Sequence, residues 1–117
     1  MDSFDFQVNA LQGAPPQQWS AGTLQLEFQG GTATGTFQIG EYADPFPVTG
    51  TVAFDIMNGA RVYVTGKNAS ASVEISGVQM TNNYGTTIAY FGGILNLLDY
   101  EVQEWLPYLL NGYQQVD

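Results

Sequence analysis

Thr23-Leu24-Gln25-Leu26-Glu27-Phe28-Gln29 alternates polar and apolar side chains without a break. Successive side chains of a strand point to opposite faces, so Leu24, Leu26 and Phe28 share one face and Gln25 and Glu27 the other. A helix would place apolar residues at mixed three- and four-residue steps, whereas here they recur at every second residue. It reads as a strand with one face buried. The same period recurs on both sides. Upstream, Phe4, Phe6 and Val8 alternate with Asp5 and Gln7. Downstream, the inward sets are Phe37 and Ile39; Val52, Phe54 and Ile56; Val62 and Val64; Ala71, Val73 and Ile75; and Thr86, Ile88 and Tyr90.

These sets predict seven strands, separated by turn signals at Gly30-Gly31, Asp44-Pro45, Asn58-Gly59, Lys67-Asn68 and Asn82-Asn83. Asn58-Gly59 is the strongest short hairpin signal, because a type I′ turn needs positive φ at both central residues. Gly13 to Gln18 contains Pro15-Pro16 and reads as an extended connector. Ala43 to Pro47 reads as a loop or an edge crossing, since proline cannot donate to a ladder. Gly77 falls on the inward phase after Ile75, and Val78 and Met80 then take the opposite phase. That switch predicts a bulge or bend.

After Gly92-Gly93 the period changes. Ile94, Leu95, Leu98, Val102, Trp105, Leu106 and Leu109 recur at helical steps, which predicts a helix over roughly 93–111. Pro107 should end or kink it, and Gly112 should close it. The expected architecture is a mainly β, single domain over 1–117. It is a single antiparallel β-barrel or sandwich of seven or eight strands in a meander, with the C-terminal helix packed on it. Closure is expected because open edges invite aggregation and the chain has almost no lysine to guard them.

The 117 residues carry 11 acidic and 2 basic side chains, for a net charge of -9, with no Cys and no His. Without Cys there are no disulfides, thiolate metal sites or thiol nucleophiles. Without His a Ser-His-Asp triad cannot form within the chain. Arg61 and Lys67 cannot neutralise a phosphate backbone, so no nucleic-acid partner is expected. Anionic membranes are disfavoured for the same reason, and no window reaches the ~20 apolar residues of a spanning helix. Met1 to Asp5 is acidic and does not read as a secretory signal.

Few residues suggest chemistry. Glu41, Asp44 and Asp55 are the only candidates for an acid–base carboxylate pair of the hydrolase kind, and solvated carboxylates are the plainer reading. Asp55-Ile56-Met57-Asn58-Gly59 lacks the third-position acid and closing Glu of a calcium loop. Asn68-Ala69-Ser70 is a glycosylation sequon that also suits a hairpin turn. Sixteen aromatic side chains stand against thirteen charged ones. This excess makes Trp19, Tyr42, Tyr63, Tyr84 and Tyr90 the candidate ligand-binding residues, for a small apolar or carbohydrate ligand. Tyr63 lies on the polar phase beside Arg61 and should be exposed.

In outline, a meander of short strands followed by a helix is similar to lipocalin-like barrels, and that resemblance implies a ligand held inside the barrel. The Gly-x-Trp signature of that family is absent, since Trp19 follows Gln17-Gln18. The leading expectation is a non-catalytic interaction or structural module that needs no cofactor. It would work with a protein partner or as a homo-oligomer, in a surface, secreted or virion setting. Internal binding of an apolar or sugar ligand is the alternative, and a carboxylate-based hydrolase comes third.

Overall fold

A computed structural model describes residues 2–10, 21–39, 44–55, 59–81 and 84–115. All regular structure among them is antiparallel strand: β1 (Asp2–Ala10), β2 (Ala21–Gln29), β3 (Thr32–Ile39), β4 (Phe46–Asp55), β5 (Gly59–Lys67), β6 (Ala71–Thr81), β7 (Thr87–Asp99) and β8 (Glu104–Gln115). Strands β2 to β8 form one curled meander in which each pairs with the next. Strand β1 pairs with β2 and, over Gln7↔Asn111 to Ala10↔Tyr108, with β8. That four-residue ladder closes the ring of pairings.

The alternation read from the sequence sets the inside. Leu24 and Leu26 of β2, Phe37 and Ile39 of β3, Val52 of β4, Val62 and Val64 of β5, and Val73 and Ile75 of β6 are all buried. No polar or charged residue is in the buried class among the described residues. Phe37 and Phe46 meet edge to face at 5.8 Å. An eight-stranded barrel is just wide enough for such side chains to fill it. Phe54 keeps the inward phase of β4, yet it is 65% exposed because it stands at the barrel end, against Phe28 at 6.3 Å. Gln79 reaches the same end on the inward phase of β6, and its buried Oε1 accepts no hydrogen bond.

The curl depends on inward-facing glycines. A Cβ at Gly35 would overlap the Gln25 carbonyl, one at Gly50 the Tyr63 carbonyl, and one at Gly93 the Glu74 carbonyl. Glycine kinks of this kind let a sheet coil tightly enough to approach closure.

Four expectations are corrected. The helix over 93–111 is absent: these residues are the end of β7, a turn at Tyr100–Gln103, and most of β8, with Leu95↔Tyr108 and Leu98↔Trp105 in register. Both strands are apolar on both faces, so apolar residues fall at three- and four-residue steps by coincidence. Pro107 ends no helix. It stands just past the last β1–β8 pair, Ala10↔Tyr108, where no ladder donor is lost to β1. Phe46 and Pro47 belong to β4, not to a loop, paired with Phe37 and Thr36. Gly77 makes no bulge, because the β5–β6 and β6–β7 registers run through it unbroken. In β7 the inward residues are Ala89 and Phe91, while Tyr90 faces out. The Gly30-Gly31 turn is as expected, with Gly30 at φ 60°. Asn58 and the Asn82-Asn83 pair lie outside the described residues.

Asn68 builds the β5–β6 turn. Its Oδ1 accepts from the Ser70 and Ala71 backbone N–H groups, at 2.9 and 2.8 Å, and from Ser70 Oγ at 3.3 Å. Asn68→Ala removes the acceptor for all three and is expected to cost about 1–2 kcal/mol, read as a lower urea midpoint. Asn68→Asp retains the acceptor and should lose much less.

Candidate functional site: an apolar outer face and a tyrosine groove

The register fixes what the barrel shows to its surroundings. On β2 and β3 the outward positions are Thr23, Gln25, Glu27, Gln29, Thr32, Thr34, Thr36 and Gln38, the polar exterior of a one-faced sheet. The exterior changes across β6, β7 and β8. Val78 stands beside Tyr90, Met80 beside Ile88, Ile94 beside Leu109, and Leu98 beside Trp105. Met80 is 43% exposed, Tyr90 48%, Trp105 44% and Leu109 37%. From Ser76 through the outward positions of β7 and β8 to Asn111 there is no charged residue. The carboxylates that border it are Glu74, outward on β6 directly beside Ile94, and Asp99, Glu101 and Glu104 around the β7–β8 turn. There Tyr100 and Val102 are exposed as well.

This turn is well defined. The Glu101 N–H donates to Asp99 Oδ1 at 2.9 Å, and Gln103 Nε2 donates to the Tyr100 carbonyl at 2.7 Å. Gln103 takes φ 57°, in the left-handed region.

The aromatic candidates do not converge. Trp19 and Tyr42 lie outside the described residues. Tyr84 is 93% exposed at the β6–β7 turn. Tyr63 and Tyr90 both face outward, two strands apart, so none of the three described candidates points into the barrel interior; the tyrosine buried there is Tyr108. Glu41 is also outside the described residues. Asp44 precedes β4 and Asp55 ends it, so at ~3.3 Å per residue they stand roughly 30 Å apart. A glycosidase pair works across roughly 5–9.5 Å, so these two cannot act on one bond. Among the described residues no three acidic side chains converge on a metal position.

Tyr63 is exposed, as its phase requires, and it lines an open groove of about 500 Å³ with Pro47, Thr49, Thr65, Lys67, Ser72 and Glu74. Its hydroxyl donates to Glu74 Oε1 at 2.5 Å across the β5–β6 diagonal. That bond to a carboxylate, helped by slight desolvation and the Glu74 charge, raises the phenol above its ordinary value of 10.0. The folded state therefore holds the proton more tightly than the unfolded chain. The resulting stability is complete below about pH 10 and is lost as pH rises through the raised value. Absorbance titration should show Tyr63 ionising late, alongside Tyr108, which burial also raises, and Glu74→Gln should bring Tyr63 alone back towards the ordinary range. A second opening, a cleft of about 450 Å³ at the barrel end away from Phe54 and Gln79, next to the groove, is lined by Ile39, Phe46, Leu97, Leu98, Tyr100 and Asn68, among others.

The sequence reading missed the outer face of β6–β8. Its signal was present: Ile88 to Leu98 is apolar at both parities, the mark of a strand covered on two sides. No protein-family model, no curated protein and no solved structure matches the chain.

Proposed function

We propose that the chain is a non-catalytic β-barrel module that binds another protein surface through the outer face of β6–β8. The observation that carries this reading is the uncharged apolar exterior of Val78, Met80, Tyr90, Ile94, Trp105 and Leu109, on a barrel whose β2–β3 exterior is polar. Monomeric soluble proteins seldom leave contiguous apolar patches of this kind in water. Exposed Tyr, Trp and Met are the side chains that interface centres favour. The interior supports the same reading, because Leu24, Phe37, Val64, Ile75, Leu95 and Leu110 fill it with hydrocarbon.

Site-specific photo-crosslinking in the cell that makes the protein tests it. A diazirine amino acid at Met80 or Leu109 should give protein adducts, and one at Gln25 or Thr34 on the polar side should not. Equal yields from both sides, or none from either, would remove the reading. A small apolar or sugar ligand is the second reading, favoured by the end cleft beside Leu97 and Tyr100. In that case, Leu97→Trp should block ligand uptake and leave the crosslinks unchanged.

A further inference from the structure

We infer that the Tyr63 groove, continued across β6 and β7 to Trp105, binds a neutral oligosaccharide; the inference goes beyond the protein-binding face and stands without it.

Register lays out the surface. Lys67 pairs with Ser72 and Ser72 with Asn96, so the three stand in one outward row across β5, β6 and β7. The next row holds Thr49, Thr65 and Glu74. Trp105 stands opposite Leu98, one diagonal step from Asn96, and is exposed. Lys67, Ser72, Asn96 and Trp105 line a recess of about 250 Å³. Lys67 and Ser72 also line the Tyr63 groove, so the two openings run into each other. From β5 to β8, strand spacings of ~4.8 Å add up to roughly 14 Å, the length of about two or three sugar rings in line.

The groups along this surface match hydroxyls. Tyr63 engages one carboxylate oxygen of Glu74, and the other oxygen can accept from a ligand. Among the described residues no side-chain hydrogen bond or ion pair engages Lys67, Ser72 or Asn96. Asn96 is half-buried, an amide set between Ile94 and Leu98 on the outward side of β7. Its amide brings two donors and an acceptor to a surface that gives them no partner. A sugar offers the complement, with hydroxyls that both donate and accept around the ring and C–H faces that pack on an indole.

Other ligand classes fit worse. An extended peptide docks by main-chain pairing along a free strand edge, and β5, β6 and β7 are each paired on both sides. A phosphorylated or sulfated ligand would meet one ammonium, Lys67, already offset by Glu74, in a chain of net charge -9. A metal cation would meet one carboxylate, and Tyr63 occupies it. A purely apolar ligand would bury the amide, the ammonium and the hydroxyls without partners.

Saturation-transfer NMR on the full chain, with cello-, xylo-, manno-, malto- and chito-tetraose as probes, tests this. At least one should bind, with a Kd of roughly 0.1–1 mM for so open a site, unchanged between about 20 and about 300 mM NaCl. Asn96→Ala and Trp105→Ala should each weaken that binding at least ~10-fold, while Met80→Ser and Thr34→Ala leave it unchanged. Far-UV circular dichroism checks the fold of each variant, and Asn96→Ala carries the test alone if Trp105→Ala fails to fold. Asn96→Ala should also leave the Met80 photo-adducts intact, which separates the sugar site from the protein-binding face. Silence from every probe at about 5 mM overturns the inference. So does binding confined to an acidic oligosaccharide such as tetragalacturonate. Sugar binding that Leu97→Trp abolishes and Asn96→Ala spares overturns it too, because the ligand would then sit in the end cleft.

Discussion

Gly50→Ala is expected to cost about 3 kcal/mol or more and to lower the melting temperature by roughly 10 °C or more, with little folded protein left for Gly50→Val. The reason lies across the strand pair. Gly50 stands opposite Val64, and a Cβ built there falls on the Tyr63 carbonyl and close to the Val64 Cα. Those are backbone atoms of a paired strand and cannot rotate away. The sheet would have to uncoil at β4–β5, and closure depends on that coil. Gly35→Ala and Gly93→Ala should behave alike, since each meets the carbonyl of its neighbouring strand. Gly30→Ala marks a different case. It has open space but φ 60°, so its cost is conformational and should stay near 1 kcal/mol. A Gly50→Ala protein that melts within a degree or two of the parent would refute the tight coil.

Phe37→Ala should cost about 3–5 kcal/mol, a large share of the ~5–15 kcal/mol that holds a typical domain together. Phe37 is fully buried, its ring meets Phe46 edge to face, and its tip reaches the backbone of Gly22, where no side chain intervenes. Truncation leaves a void among Leu24, Phe46 and Ile39 that strands tied on both sides cannot close. Phe54→Ala is the internal control. Phe54 has the same parity within its strand but stands 65% exposed at the barrel end, so its loss should cost under about 1 kcal/mol. Denaturant unfolding of the two variants side by side reads the difference directly.

Where one face meets hydrocarbon and the other meets water, the chain states its own geometry. Leu24, Leu26, Val62, Val64, Val73 and Ile75 were all assignable to the inside by parity, and Tyr63 to the outside. The rest was hidden by a physical ambiguity. Residues 88–98 and 105–110 are apolar at both parities, and a two-faced apolar strand satisfies a helical stripe as readily as a sheet. The same ambiguity exchanged Tyr90 with its neighbours Ala89 and Phe91, and it drew Val78 and Met80 into an imagined bulge. The outer face was therefore illegible for the reason that makes it interesting, because its hydrocarbon looks like core. The choice of tyrosines as a ligand set came from composition, and composition places no two residues together. Register separated Tyr63 from Tyr90 and set Tyr90 on one face with Met80, Trp105 and Leu109 instead.

The binding face exists only if residues 87–115 are a two-stranded hairpin with Ile94, Trp105 and Leu109 on the outside. Nuclear Overhauser contacts on labelled protein decide that most directly. Cross-strand backbone contacts linking Gly93 to Leu110, Leu95 to Tyr108 and Leu98 to Trp105 are the expected result. A run of contacts from each residue to the third one following, along 94–106, would mean a helix there and would contradict both the barrel and its apolar face.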